Sequence, residues 1–169
     1  SLYSMRILNE FVVVAEAKKQ QDYPVHIKFN TGLNRLGFRE SEVSHILSAL
    51  RKTDAIKTRS LFSHLVASED LSEKEFTLGQ IESFNNIATA MEEGLGYNPL
   101  LHQSNTSGIL NYPQAHFDMV RTGIGLYGFG NSKAENEQLK PVATLKSVIS
   151  QIHTLQPGES VGYNRAYKA

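Results

Sequence analysis

The chain has 169 residues, 17 basic and 17 acidic side chains, no cysteine and no tryptophan. Zero net charge argues against a nucleic-acid backbone or an anionic membrane as partner, since both favour a clustered basic surplus, and the missing cysteine excludes disulfides, thiol nucleophiles and cysteine metal sites. No apolar run approaches the roughly 18 residues of a membrane span, Ser1–Glu10 has no signal-peptide character, and the length falls short of the roughly 250 residues typical of a complete β/α barrel, so a soluble cytoplasmic protein of one domain, or one plus a piece of another, is expected.

In chain order, Ile7, Leu8, Phe11, Val12 and Ala15 recur at helical spacing from Met5 to about Ala17, and Tyr23-Pro24 ends that pattern. Val25–Asn30 alternates strictly and predicts a strand. Val43, Ile46, Leu47 and Leu50 mark a second helix, and Leu61–Val66 reads as a second strand. Ser72 with Glu75 forms a capping-box pattern before an apolar stripe from Phe76 to Met91, with Gly94 at the expected stop. Leu100–His102 predicts a short strand, Gly108–Leu110 a helical turn and Phe117–Val120 a last strand. Strands separated by helices argue for a parallel α/β sheet. Asn131–Lys140 is polar without a periodic face and is closed by Pro141, the pattern of a linker. Beyond it, Ala143–His153 reads as a bent strand, and Gln156–Glu159 as a turn leading into Ser160–Tyr163. This predicts a boundary near residue 130, a linker over 131–141, and the opening of an all-β domain over 142–169.

Several segments carry chemistry. Alternation places His26, Lys28 and Asn30 on one face of their strand, which either points into a barrel or is simply wet. Arg35 lies in the following glycine-bounded loop, as a carboxylate or phosphate clamp or as a solvated surface residue. His64, within an apolar strand, reads on its own as a core histidine. His102–Ser107 offers hydroxyls and an amide, suited to an anion or to helix capping. Gly123–Gly128 matches G-x-G-x-x-G, but no amphipathic helix follows, so NAD and FAD are rejected. A phosphate held by main-chain N–H groups near Gly123 remains open. The six histidines show no metal-ligand spacing, and no metal is expected.

Ordered blocks across nearly the whole chain carry a resemblance: His26–Phe38, Phe62–Asp70, His102–Ser107, Phe117–Gly128 and Gly158–Tyr163. Together they resemble the alanine racemases, fold-type III pyridoxal 5'-phosphate enzymes. The resemblance implies the second half of a β/α (TIM-type) barrel followed by the start of a C-terminal β domain. It implies Arg121 facing the cofactor's pyridine nitrogen, where a guanidinium that keeps its proton leaves the ring a weaker electron sink. Thr106 and the backbone of Gly123 and Ile124 would hold the phosphate, with Asn105 beside them and His64 near the ring, bonded to Arg121. Tyr163 would exchange the α-proton of L-alanine, from one subunit into the site of the other in a homodimer, and Arg35 would contact substrate. The implied role is interconversion of L- and D-alanine for peptidoglycan synthesis.

Two departures qualify the match. Lys28 corresponds to a lysine often carbamylated in the family, but Asn30 stands where aspartate is usual, so an unmodified Lys28 separated from Arg35 by a bound anion such as chloride is expected. The family's A-V-x-K-A-x-A-Y-G-type segment, with its Schiff-base lysine, does not occur in the chain. The chain therefore reads as an internal fragment, inactive alone. Rival readings are a racemase of another small amino acid such as serine, and a non-catalytic pyridoxal-phosphate carrier or regulatory barrel.

Overall fold

The computed structural model describes residues 1–169. Helix α1 (Met5–Ala17) begins at Ser4, whose hydroxyl accepts from the Ile7 N–H. It ends at Ala17, as expected, and beyond it Lys19 and Asp22 take left-handed backbone, at φ 54° and 51°. Tyr23-Pro24 then opens β1 (Tyr23–Lys28), at the start of a strand, where proline's missing N–H is tolerated. Helix α2 (Val43–Leu50) leads to β2 (Ile56–Phe62), helix α3 (Lys74–Leu95) to β3 (Leu100–His102), and helix α4 (Thr106–Asn111) follows. The three strands form one parallel sheet in the order β1-β2-β3, with α2 and α3 as its crossovers.

The core lies between the helices and one sheet face. Val25, Ile27 and Phe29 pack there with Ile56 and Leu61, against Ile46 of α2 and Phe84, Ile87, Ala88 and Met91 of α3. The α3 residues recur at the i, i+3, i+4, i+7 spacing of one helix face. β2 starts earlier than the apolar run suggested, because Lys57 and Arg59 alternate with buried Ile56 and Thr58. Between Val25 and His26 the pairing register shifts, so that Val25 faces Thr58 whereas His26 faces Ser60. This irregularity lets Ile56 and Leu61, an odd number of residues apart, both join the helix-side core, and it turns Ser60 toward the opposite face.

The sheet continues past both edges. Leu2 bridges Ile27 in parallel, accepting from Lys28 N–H at 2.9 Å and donating to the His26 carbonyl at 2.8 Å. On the other side Asp118 N–H reaches the Leu101 carbonyl at 3.1 Å. Phe117–Val120 is nevertheless not the expected strand. Phe117 is left-handed at φ 48°, and the Asp118 carboxylate accepts the Leu101 N–H in place of a backbone carbonyl.

Other boundaries also differ. A single turn of 3-10 helix, Leu71–Glu73, precedes α3 and is capped by Asp70, which accepts from Ser72 N–H at 2.9 Å, so the Ser72/Glu75 capping box does not form. Gly94 lies inside α3, and Gly96, left-handed at φ 74°, ends it. Gly94 serves packing instead, since a Cβ there would lie 2.1 Å from Leu47 Cδ1. The polar segment after residue 130 contains helix α5 (Lys133–Glu137), and Glu135 is buried beneath it, accepting from Asn131 N–H at 2.6 Å and Asn111 Nδ2 at 3.2 Å. Ala143–His153 forms no strand, and its apolar side chains are exposed, Leu145 at 99%. The turn at Gly158 (φ 90°) leads to a small antiparallel pair, β4 (Ser160–Val161) and β5 (Tyr167–Lys168).

Candidate active site

The polar groups gather beyond the carboxyl ends of the strands, where parallel α/β sheets place their ligands. His64 sits just past β2 rather than within a strand. Arg121 reaches it from the segment after β3: its Nη2 donates to the Ser63 carbonyl at 2.7 Å and the Gln103 carbonyl at 3.2 Å, and lies 3.3 Å from His64 Nδ1. Its Nη1 donates to His102 Nδ1 in a short contact. The aromatic ring of Phe62 lies beneath both, stacked on His102 at 4.9 Å and 5.5 Å from the guanidinium. Nε–H and the second hydrogen of Nη1 are the guanidinium donors with no partner in the protein.

His102, which the sequence offered only as the opening of the His102–Ser107 segment and with no role of its own, is the pivot of this group. A guanidinium can only donate, so His102 Nδ1 must accept and the ring must be neutral. Burial first, then the charge of Arg121 and the neighbouring His26, lower its pKa to about 4. His64 is lowered for the same reasons, burial leading and Arg121, Arg35 and Lys28 following. Burial likewise lowers Arg121.

Lys28 emerges on the same face. Burial, then Arg35, then Arg121 hold its ammonium below the usual lysine range. No carboxylate pairs with Lys28, Arg35 or Arg121, for the ion pairs of the protein lie elsewhere on its surface. Asn30 does not supply a charge: its Oδ1 accepts from Gly32 and Asn34 N–H at 3.2 and 2.9 Å, fixing the loop that carries the exposed Arg35. That loop closes at Gly37, where φ 132° and backbone atoms 2.6 Å from any Cβ require glycine.

A second cluster lies at α4. Thr106 Oγ1 accepts from Gly123 N–H at 3.0 Å and Gly125 N–H at 3.2 Å, leaving its own proton free to donate. Ile124 opens the 3-10 turn Ile124–Tyr127, so its N–H has no acceptor within that turn. Gly125 permits this approach, because a Cβ there would lie 2.7 Å from Thr106 Cγ2. No longer helix begins in the glycine motif, consistent with the rejection of a dinucleotide site. Asn105 caps α4 by accepting from Gly108 N–H at 2.9 Å, and accepts from Ser68 Oγ at 2.8 Å. Tyr163 is apart from all of these, fully exposed beside β4.

Fold and site thus define a parallel α/β domain with a cationic, donor-rich site at the carboxyl ends of its strands. A sequence model of the alanine racemase N-terminal domain matches residues 1–130, and the chain belongs to that family. The alanine racemase of Nitrosospira multiformis is 31% identical over 163 residues, covering 95% of this chain and 44% of that protein. The catabolic alanine racemase of Klebsiella aerogenes is 35% identical over 157 residues, covering 90% and 42%. The solved alanine racemase of Streptomyces coelicolor A3(2) superposes with a TM-score of 0.83 at 27% identity, covering 99% of this chain and 45% of that one. The chain therefore spans less than half the length of these relatives.

Proposed function

We propose that this segment forms part of a pyridoxal 5'-phosphate-dependent racemase that interconverts L- and D-alanine in the cytoplasm and supplies D-alanine for peptidoglycan. The observation that carries this reading is the half-buried Arg121, anchored through both terminal nitrogens with Nε–H uncommitted. Such a donor suits a pyridine nitrogen and keeps its proton. Thr106, the backbone of Gly123 and Ile124, and the adjacent Asn105 suit a phosphate, so the residues present fit the cofactor. When bound, the cofactor supplies an electron-withdrawing ring that makes the substrate α-proton labile. Arg121 moderates that withdrawal, which favours proton exchange over further chemistry.

Arg35 orients the substrate carboxylate, and His64 braces Arg121. Lys28 is unmodified and pairs with a bound anion such as chloride, which separates its charge from that of Arg35. Tyr163 carries the α-proton exchanged with the L-enantiomer and enters the site of the partner subunit in a homodimer, consistent with its full exposure. The lysine that anchors the cofactor and acts as the second base lies outside residues 1–169. Residues 1–130 form part of a β/α barrel, 131–141 connect it, and 142–169 begin a β domain.

The test is Tyr163→Phe in the whole protein, assayed with alanine and serine in both directions. Racemisation should fall at least a hundredfold with cofactor binding retained, and alanine should be the better substrate. Near-normal turnover removes Tyr163 from the chemistry. Preference for serine moves the reading to a serine racemase, and cofactor binding without any racemisation by the unsubstituted protein moves it to a carrier.

A further inference from the structure

The contacts of Arg121 do not end at His102. His102 Nε2 lies 3.0 Å from Ser60 Oγ, and Ser60 Oγ lies 2.6 Å from His26 Nδ1. The three residues come from three strands: His26 from β1, Ser60 from β2 and His102 from β3. They meet because the register shift after Val25 sets His26 opposite Ser60.

Every proton in this chain has one consistent position. Arg121 donates to His102 Nδ1, so the His102 proton sits on Nε2 and is donated to Ser60 Oγ. Ser60 is only 1% exposed, and its hydroxyl has no other acceptor. Were His26 to carry its proton on Nδ1, two donors would face Ser60 Oγ and the hydroxyl proton would be buried without a partner, which is unfavourable. The hydroxyl therefore donates to His26 Nδ1, and His26 carries its proton on Nε2.

We propose that Ser60 is a positioning residue that extends the anchorage of Arg121 across the sheet to His26, through a one-directional chain of hydrogen bonds that fixes both histidines as Nε2–H tautomers. The chain continues the scaffold of Arg121, and it stands on geometry whether or not the racemase reading holds. Its consequence is a guanidinium whose orientation is set from β1 as well as from its immediate neighbours, with a His26 N–H presented on the sheet face opposite the core.

The test is 15N-histidine NMR of the whole protein, assigned by single His→Gln variants at positions 26 and 102. Both rings should show the separated nitrogen resonances of an Nε2–H tautomer near pH 8. Ser60→Ala should collapse the His26 pair toward the averaged values of a mixed population while leaving His102 unchanged, since Arg121 still holds its Nδ1. Ser60→Thr, which keeps the hydroxyl, should restore the His26 signature. An Nδ1–H tautomer at His26 in the unsubstituted protein overturns the proposal even if Ser60→Ala fails to fold, as does a His26 spectrum indifferent to Ser60→Ala. Loss of racemase activity bears on the proposed function only, because the tautomers are read independently of turnover.

Discussion

At the scale of the residue, His102 couples protonation to stability. Its folded pKa of about 4 lies below the ordinary histidine value of 6.5, so between those two values the unfolded chain binds a proton that the folded chain refuses. Stability is full above pH 6.5 and falls as pH drops through that window, and the lowered pKa of His64 acts in the same sense. Urea unfolding at pH 7 and pH 5 should show a lower midpoint at pH 5. His102→Asn, which keeps an acceptor for Arg121 and removes the titration, should narrow the difference. An equal pH dependence in the variant contradicts the assignment. Neither the tautomer nor the neutrality of His102 was legible in the sequence, because both follow from a guanidinium supplied 19 positions later. Lys28 was legible on the polar face of an alternating strand, whereas His64 read as lying within a strand and stands just past the end of β2.

At the scale of the element, α3 does more than cover the sheet. Gln80 is buried on it, and its amide accepts from Val66 N–H at 3.0 Å and donates to the His64 carbonyl at 3.3 Å and Thr31 Oγ1 at 3.4 Å. Thr31 in turn lies 2.7 Å from Ser63 Oγ, so one side chain pins the loop after β1 to the loop after β2. Gln80→Leu keeps the volume but strands the Val66 N–H and His64 carbonyl, and should cost about 3 kcal/mol in urea unfolding. A loss below about 1 kcal/mol shows that the loops are held by other contacts. The periodicity that located α3 gave the buried stripe from Ile81 to Met91, but its first members, Phe76 and Leu78, are exposed, and it was silent on Gln80, because a polar residue on a buried face has meaning only through the loops it meets. The same limit explains the strand expected at Phe117–Val120: its composition suits a strand, but the Asp118 side chain takes the ladder position.

At the scale of the whole molecule, the parallel sheet, extended by contacts from Leu2 and Asp118, does not close on itself. The apolar side chains of Ala143–His153 are uncovered, with Val148 87% and Ile152 81% exposed. Open edges and exposed apolar side chains favour association. The 169-residue segment expressed alone should therefore sediment as concentration-dependent oligomers in analytical ultracentrifugation. A stable monomer across a wide concentration range would show that the open sheet is self-sufficient. Glu135 meanwhile ties the segment after residue 130 onto α4, so the polar stretch read as a linker is in part a fastening.

The sequence by itself determined the parallel α/β class, the core faces of α1, α2, α3 and β1, and the polar residues that follow each strand. These depend on period and on local backbone preference, which neighbouring residues set. Tertiary structure alone decided the register shift at Val25, the pivot at His102, the burial of Glu135 and the loop-pinning role of Gln80. Each joins groups far apart in the chain. Whether a hydroxyl, an amide or an imidazole is a wet surface group or a fixed donor depends on what packing brings within about 3 Å of it.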